Sequence, residues 1–585
     1  MAAGKVQRMI VDIGVRTPMR DGVELVGDLY TPSEQGRWPV LLQRNPYDRK
    51  DPGRGQMVIV DPAWLARQGF AVLVQDTRGR GESEGEFDVI LQEVDDGYDT
   101  VEWAAAQPWS TGAVGIYGSS YMGLTTYQAI ASHPPHLKAG VAFMGPLDAL
   151  SKRLDGGMFA ACFYTWWAYL TALMTVERAE LRAATKAEML GRIVAALMDP
   201  VGTANNLPLS ELDILSDEKL SPFWRDMLWT PKPVVKNGRP LLGDHLQIGD
   251  AALLHISGYR DFSHAAFDLA AAQAGNDRHR FIAGPWTHRG AYSGFTGARE
   301  YPGTSSPAGA LGWGPLIAAW FDIHLRGGTG ADYPSGMAWL QGDPIRYYVE
   351  GENQWASAKS WPPATKELAL HLSSDGDARS ASGNGRLLSP GAPAPADGAN
   401  RFTADPHDPF PTHGGSTGMP EEGPEGVQDQ RAVDHRKDVL VYTSDVLEKP
   451  VRIAGRQKVS LHFSSSAPDA DICVKLVDVD PHGFAGNVTD GRMRVRYRKG
   501  GDVDWLTPGE AEEIAITLHN TAHVFKPGHR IRVMITGADY PHFSRNLHTK
   551  TVPELGTMAE AIPAEHKVHH GPTGRSRLIL SEMSE

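Results

Sequence analysis

Hydrophobic residues in the first quarter of the chain fall into short runs, Val40–Gln43, Ala71–Gln75, Ala113–Tyr117 and Ala139–Phe143. Helix-like stretches, Pro62–Gln68 and Asp96–Ala106, separate them. Short apolar runs alternating with helices predict βαβ units and a parallel sheet buried on both faces. Ahead of them, Ile10–Asp12 and Glu24–Tyr30 flank Arg20-Asp21-Gly22 and predict an opening hairpin. From about Leu147 to Lys236 the texture changes, with MFAACFYTWWAYLTALM and KAEMLGRIVAALM rich in helix formers and aromatics. The alternating texture resumes with apolar runs at Ala252–Ser257 and Arg280–Ala283 and a helix over Pro315–Leu325.

After about Glu350 the pattern shifts again. Ser, Gly, Pro and Asp dominate Ser373–Gly423. Around that stretch lie Leu368–Leu372, Val459–Phe463, Asp471–Val477, Ile514–Leu518, Ile531–Ile535 and Leu578–Leu580. Many short strands without helices predict a β-sandwich of jelly-roll type.

The length of 585 residues implies about three folding units. A net charge of −13, with no dense basic run, argues against nucleic acid as a partner. Two cysteines, Cys162 and Cys473, make no disulfide framework. The first residues lack the apolar stretch of a secretory signal, and Phe159–Met174 is shorter than the roughly 20 residues of a membrane span. The expectation is a soluble, cytoplasmic protein with no membrane partner.

The strongest chemical signal is AVGIYGSSYMG at Ala113–Gly123, a strand running into a tight turn and then the helix-like LTTYQAIASH. A serine on a sharp strand-to-helix turn lifts its hydroxyl clear of the sheet, with helix N–H groups behind it to receive an oxyanion. Ser120 is the expected nucleophile and Ser119 its rival. The second glycine of G-x-S-x-G is displaced by one, to Gly123. In this α/β-hydrolase arrangement the acid and the histidine follow the serine in chain order, each just past a strand end. Asp261 follows Ala252–Ser257 and His288 follows Arg280–Ala283, so Ser120, Asp261 and His288 form the expected triad. Any one of 22 histidines taken singly is more often structural; position and order single this one out.

These segments together resemble the cocaine esterase-like (CocE/NonD) group of α/β-hydrolases, related to X-Pro dipeptidyl peptidases, glutaryl cephalosporin acylases and α-amino-acid ester hydrolases. The resemblance spans nearly the whole chain. It is carried by Gly118-Ser119-Ser120-Tyr121-Met122-Gly123, Gly258-Tyr259-Arg260-Asp261, Gly284-Pro285-Trp286-Thr287-His288, Asp76-Thr77-Arg78-Gly79-Arg80-Gly81-Glu82-Ser83 and Arg44-Asn45-Pro46-Tyr47. It implies an oxyanion hole made by the Tyr47 hydroxyl and the backbone N–H of Tyr121, against the plainer reading of Tyr47 as a packed loop tyrosine. For Asp76 and Arg78 the preferred reading is loop bracing.

The expected architecture is therefore an α/β-hydrolase domain over 1–146 and 243–350, a helical cap over 147–242, and a jelly-roll-like β-sandwich over 351–585. The expected function is serine hydrolysis of carboxylic esters, or amides, of bulky or aromatic substrates. Phe163, Tyr164, Trp166, Trp167 and Phe262 are candidate pocket walls, each with core packing as the rival reading. Arg260 stands where the family has an aromatic, which opens the pocket to an anionic acyl group; a solvated arginine is the plainer reading. The alternatives are an acylase or aminopeptidase-type amidase and, more remotely, a non-catalytic binding protein on a hydrolase fold. No cofactor or metal is expected, since H-E-x-x-H is absent and His566, His569 and His570 lack matching acids. The partner is a small-molecule substrate. The sequence leaves the physiological substrate open and leaves room for a homo-oligomer, dimer or tetramer.

Overall fold

The computed structural model describes residues 9–51, 59–89, 92–147, 154–229, 235–236, 239–240, 248–262, 264–302, 305–306, 312–393, 396–500 and 502–584. Its centre is a ten-stranded sheet of β1 (Ile10–Pro18), β2 (Glu24–Thr31), β3 (Trp38–Asn45), β4 (Ala71–Asp76), β5 (Ser110–Ser119), β6 (Leu137–Phe143), β7 (Ala252–Arg260), β8 (His279–Thr287), β9 (Ile345–Val349) and β10 (Gln354–Ala358). The strands lie in the order β1-β2-β4-β3-β5-β6-β7-β8-β9-β10. From β4 to β9 neighbours run parallel, while β1, β2 and β10 pair antiparallel at the edges.

Parallel strands demand helical crossovers, and these cover both faces of the sheet. On one face Leu41, Val72, Val141 and Ile282 pack against a helix over Gly314–Arg326, which the apolar pattern had predicted. On the other, Val40, Leu73, Val114 and Leu253 pack against α1 (Glu93–Ala105) and α2 (Tyr121–Ala131). Ten of the eleven residues of α2 are buried. At roughly 1.5–3 kcal/mol for each large apolar side chain, burial of Leu124, Tyr127 and Ile130 holds this helix against the sheet.

The sheet continues through β10 to Ala358, past the boundary expected at 350, because β9 and β10 pair across a tight turn. Between β6 and β7 the chain leaves the sheet as the expected helical insertion, led by α3 (Ala161–Arg178) and α4 (Ala183–Met198). Its expected end at 242 falls outside the described residues.

The C-terminal region is an eleven-stranded β-sandwich between Thr365 and Met583 with its own apolar core, including Leu370, Leu461, Val474 and Val533. The expected strands are present. So are Gly398–Ala404, Val439–Ser444, Ala485–Arg494 and Ala564–His570, which the apolar runs did not reveal. The sandwich is tied to the hydrolase sheet at the end of β9, where Glu350 N–H donates to the Ala522 carbonyl and Val524 N–H to the Glu350 carbonyl, both at 2.9 Å. Tyr259, Phe267 and Trp361 pack there against Ala454, Ala522 and Val524.

Candidate active site

Three strand ends, of β5, β7 and β8, bring the chemistry to one edge of the sheet. Ser120 follows β5, Asp261 follows β7 and His288 follows β8, all at the carboxyl ends of parallel strands. His288 Nε2 lies 3.0 Å from Ser120 Oγ, and His288 Nδ1 lies 2.8 Å from Asp261 Oδ1. Asp261 is fully buried. An acceptor on Nδ1 fixes the tautomer that leaves Nε2 free to take the serine proton.

Ser120 sits at the N-terminus of α2 with φ 53° and ψ −122°, a conformation that costs a residue with a side chain about 1–3 kcal/mol. Serine at such a position ordinarily caps the helix with its hydroxyl. Here no side-chain cap forms, and the hydroxyl faces His288 instead. The glycines around it answer close approaches. A Cβ on Gly118 would lie 2.3 Å from Met122 Cβ, and one on Gly123 would lie 2.8 Å from Gly145 Cα. The second glycine is therefore displaced to where the helix start meets the loop after β6.

Tyr47 is placed by the end of β3. The Asn45 side-chain oxygen accepts from Tyr47 N–H at 3.0 Å, closing a turn through Pro46. The Tyr47 hydroxyl is buried and accepts from the Trp167 indole N–H at 3.2 Å. Burial pushes the phenol above its ordinary pKa; Trp167, the charge of Arg80 and Ser120 pull it back. It stays protonated at neutral pH and so remains a donor. Tyr121 supplies the first amide of α2, at the positive end of the helix dipole. Its phenol points away and donates to Glu93 at 3.3 Å.

Arg78 pairs with Asp96 at 2.6 Å and Asp21 at 2.8 Å, and Asp76 accepts from Arg49. Both brace the loop, as a Gly-rich turn predicts.

A cavity of about 130 Å³ reaches Phe262, the residue after Asp261, but Ser120, Asp261 and His288 are not among its lining residues. Phe163, Tyr164 and Phe262 line it, and the Phe262 ring is centred 4.2 Å from that of His288. Trp166 and Trp167 are not among its lining residues: Trp166 packs against Phe163, and Trp167 stacks on Tyr121 with ring centres 6.2 Å apart. Arg260 is neither solvated nor in this cavity. It is 3% exposed and forks onto Glu350, at 2.8 and 3.1 Å, with the carbonyls of Asn487 and Val488 completing its donors. It stands at the seam with the sandwich because β7 abuts that domain.

The far wall of the cavity comes from residues that no motif marked, among them His264 and, from the sandwich, Arg492, His519, His542 and Phe543. His519 bridges Asp155 at 2.7 Å and Asp490 at 3.2 Å. Burial alone would lower its pKa, but the two carboxylates outweigh that and raise it. Arg492 meets Asp155, Asp490 and Asp539. Only tertiary folding assembles this wall. Among the described residues no group of three or more His, Cys, Asp or Glu side chains is arranged to hold a metal ion, and no helix is long and apolar enough to cross a membrane.

Known proteins place the chain in a family. Residues 21–290 match the X-Pro dipeptidyl-peptidase (S15 family) model, and residues 338–579 match the X-Pro dipeptidyl-peptidase C-terminal non-catalytic domain. The chain is 33% identical over 97% of its length to cocaine esterase of Rhodococcus sp. (strain MB1 Bresler), covering 97% of that protein. It is 28% identical, over 90% of each chain, to a putative serine esterase of Mycobacterium bovis. Among solved structures, an aminopeptidase from the marine sediment archaeon Thaumarchaeota archaeon superposes with a TM-score of 0.79 at 23% identity, over 100% of this chain and 98% of that one. An α-amino acid ester hydrolase superposes with a TM-score of 0.70 at 22% identity over the same shares. At those identities the structures speak for the fold, while the cocaine esterase match fixes the kinship: the chain belongs to the cocaine esterase-like (CocE/NonD) family of hydrolases, enzymes that cut ester or peptide bonds.

Proposed function

We propose that the chain is a serine esterase that cleaves carboxylic esters of bulky or aromatic small molecules through an acyl-enzyme on Ser120. The observation that carries this reading is the continuous array Asp261–His288–Ser120, at 2.8 and 3.0 Å. Ser120 Oγ attacks the ester carbonyl as His288 Nε2 takes its proton, and Asp261 balances the imidazolium. The carbonyl oxygen becomes an oxyanion facing the Tyr47 hydroxyl and the Tyr121 amide. Collapse expels the alcohol, which takes the proton from His288. Water then repeats the cycle on the acyl-enzyme. Phe163, Tyr164 and Phe262 supply aromatic walls for the bulky group.

An amine-recognising acylase or aminopeptidase is the alternative. It requires a carboxylate with charge to spare for a substrate ammonium. Asp155, on the cavity wall, is already matched by Arg492 and His519, which favours the esterase reading.

The test is fluorophosphonate labelling of the wild type and Ser120→Ala, with turnover of aryl, alkyl and amino-acid esters and of β-lactam amides. Labelling confined to the wild type, with aryl esters turned over fastest, is expected. Equal labelling of both proteins overturns the reading.

A further inference from the structure

Arg80 lies in the turn after β4, between Gly79 and Gly81, whose φ values of 69° and 50° let the chain double back. The turn sends the side chain inward, leaving it 1% exposed. Its guanidinium carbon stands 3.7 Å above the centre of the Phe87 ring, and Nη1 donates to Thr175 Oγ1 on α3 at 3.1 Å. Nε has no acceptor, and among the described residues no carboxylate pairs with this cation. Three other arginines are buried to the same degree. Arg44, Arg494 and Arg496 each face a carboxylate, at 2.7, 2.9 and 2.7 Å.

A buried cation without an anion is costly, and folds ordinarily supply the partner. The groups that feel Arg80 most among possible anions are the phenols of Tyr121 and Tyr47, then Glu93. Glu93 is already held by Arg44 and by the Tyr121 hydroxyl. Phe87, under the guanidinium, packs against Tyr121 with ring centres 6.1 Å apart. The cation therefore sits behind the Phe87–Tyr121 pair, and its charge is felt by the Tyr47 phenol. Burial lowers its pKa to about 9, which still leaves it charged at neutral pH. Formation of the oxyanion from the ester carbonyl brings a new negative charge near it.

We infer that Arg80 is a positioning residue of the oxyanion hole, whose unpaired charge acts through Tyr47 and the Phe87–Tyr121 wall to stabilise the anionic tetrahedral species over the neutral ester. The inference rests on the esterase reading above. An interaction stronger in the transition state than in the ground state raises kcat with little effect on KM, and inside a low-dielectric site a fixed charge acts over a longer range than in water.

Phenyl acetate turnover and phenylboronic acid inhibition test it in Arg80→Met and Arg80→Lys. Boronic acid adds Ser120 Oγ to boron, passes the serine proton to His288 and leaves a tetrahedral boronate anion in the hole. Arg80→Met should lower kcat about 10–100-fold, less than loss of a direct oxyanion donor. KM should stay within about twofold, and the boronic acid inhibition constant should rise in parallel with the loss of kcat. Arg80→Lys should recover most of both at neutral pH. It should then lose them as pH rises, because a buried ammonium gives up its proton more readily than a guanidinium. If Arg80→Met leaves boronic acid affinity unchanged relative to KM, the inference falls. Should Arg80→Met fail to fold, a pH profile of Arg80→Lys with the wild-type shape overturns it equally. Wild-type protein that neither turns over phenyl acetate nor binds the boronic acid removes the esterase reading itself, a distinct outcome.

Discussion

The indole N–H of Trp167, on the first cap helix, donates to the hydroxyl oxygen of Tyr47, 120 residues earlier in the chain, at 3.2 Å. An indole can only donate, so the phenol oxygen accepts there and its own proton is left for another acceptor. Tyr47→Phe should lower kcat about 10²–10³-fold, the loss on removing one oxyanion donor, with a much smaller change in KM. Trp167→Phe keeps an aromatic ring, removes the indole donor and frees the phenol to rotate, so it should cost kcat far less. Paired kcat and Tm measurements check this: a Tyr47→Phe protein with lowered Tm and nearly intact kcat would make Tyr47 a packing residue.

Ser120 and Ser119 are adjacent but face different surroundings. Ser119 is the last residue of β5, fully buried beside Phe143 of β6. Ser120→Ala should lower kcat at least about 10³-fold with folding intact. Ser119→Ala should retain most activity. Steady-state turnover of phenyl acetate distinguishes them, and a dead Ser119→Ala enzyme reverses the assignment.

Asp261→Asn should preserve the fold and lower kcat about 10⁴-fold, because an amide at this position no longer selects the Nδ1–H tautomer of His288. A loss under tenfold, measured on protein with wild-type Tm, would leave the histidine oriented by something else.

Arg260 and Glu350 form a buried pair linking β7 to the end of β9 at the sandwich seam. Removing one partner strands the other charge, so Arg260→Met should destabilise by about 3–5 kcal/mol. The folded fraction should keep its kcat and its preference among acyl groups. Denaturant unfolding measures the first and kinetics the second; a changed acyl preference with unchanged stability would put Arg260 back in the substrate pocket.

His519, facing Asp155, Asp490, Arg492 and the stacked ring of His264, has its folded pKa raised. A histidine of raised pKa stabilises fully below its unfolded value, about 6.5, and that contribution is lost as pH climbs through the folded value. The Tm advantage of wild type over His519→Gln should therefore be largest near pH 6 and shrink toward pH 9. An advantage that grows with pH contradicts the charged state inferred for this ring.

Strict chain-local chemistry determined much of this protein. Apolar runs of strand length separated by helices specified the parallel sheet. The tight strand-to-helix turn at Ser120 was legible because such a turn needs small neighbours at fixed spacing. Asp261 and His288 were legible because strand ends must deliver the remaining groups in chain order. Those features depend on periodicity and on backbone geometry within a few residues.

What the tertiary structure alone decided involves partners distant in sequence. Ala485–Arg494 reads as polar and gives no strand signal, yet it is a buried strand whose Arg492 and Arg494 meet acids from Asp155 to Glu554. Arg260 reads as an exposed or substrate-facing cation until Glu350 closes over it from 90 residues away. The cap aromatics read alike, but Phe163 and Tyr164 face the cavity while Trp167 turns to Tyr47. Helical spacing records that residues share a face; which surface that face meets depends on how domains dock. A buried charge is likewise ordinarily matched by a counter-charge, with Arg80 the exception, and no local pattern states where that counter-charge will come from.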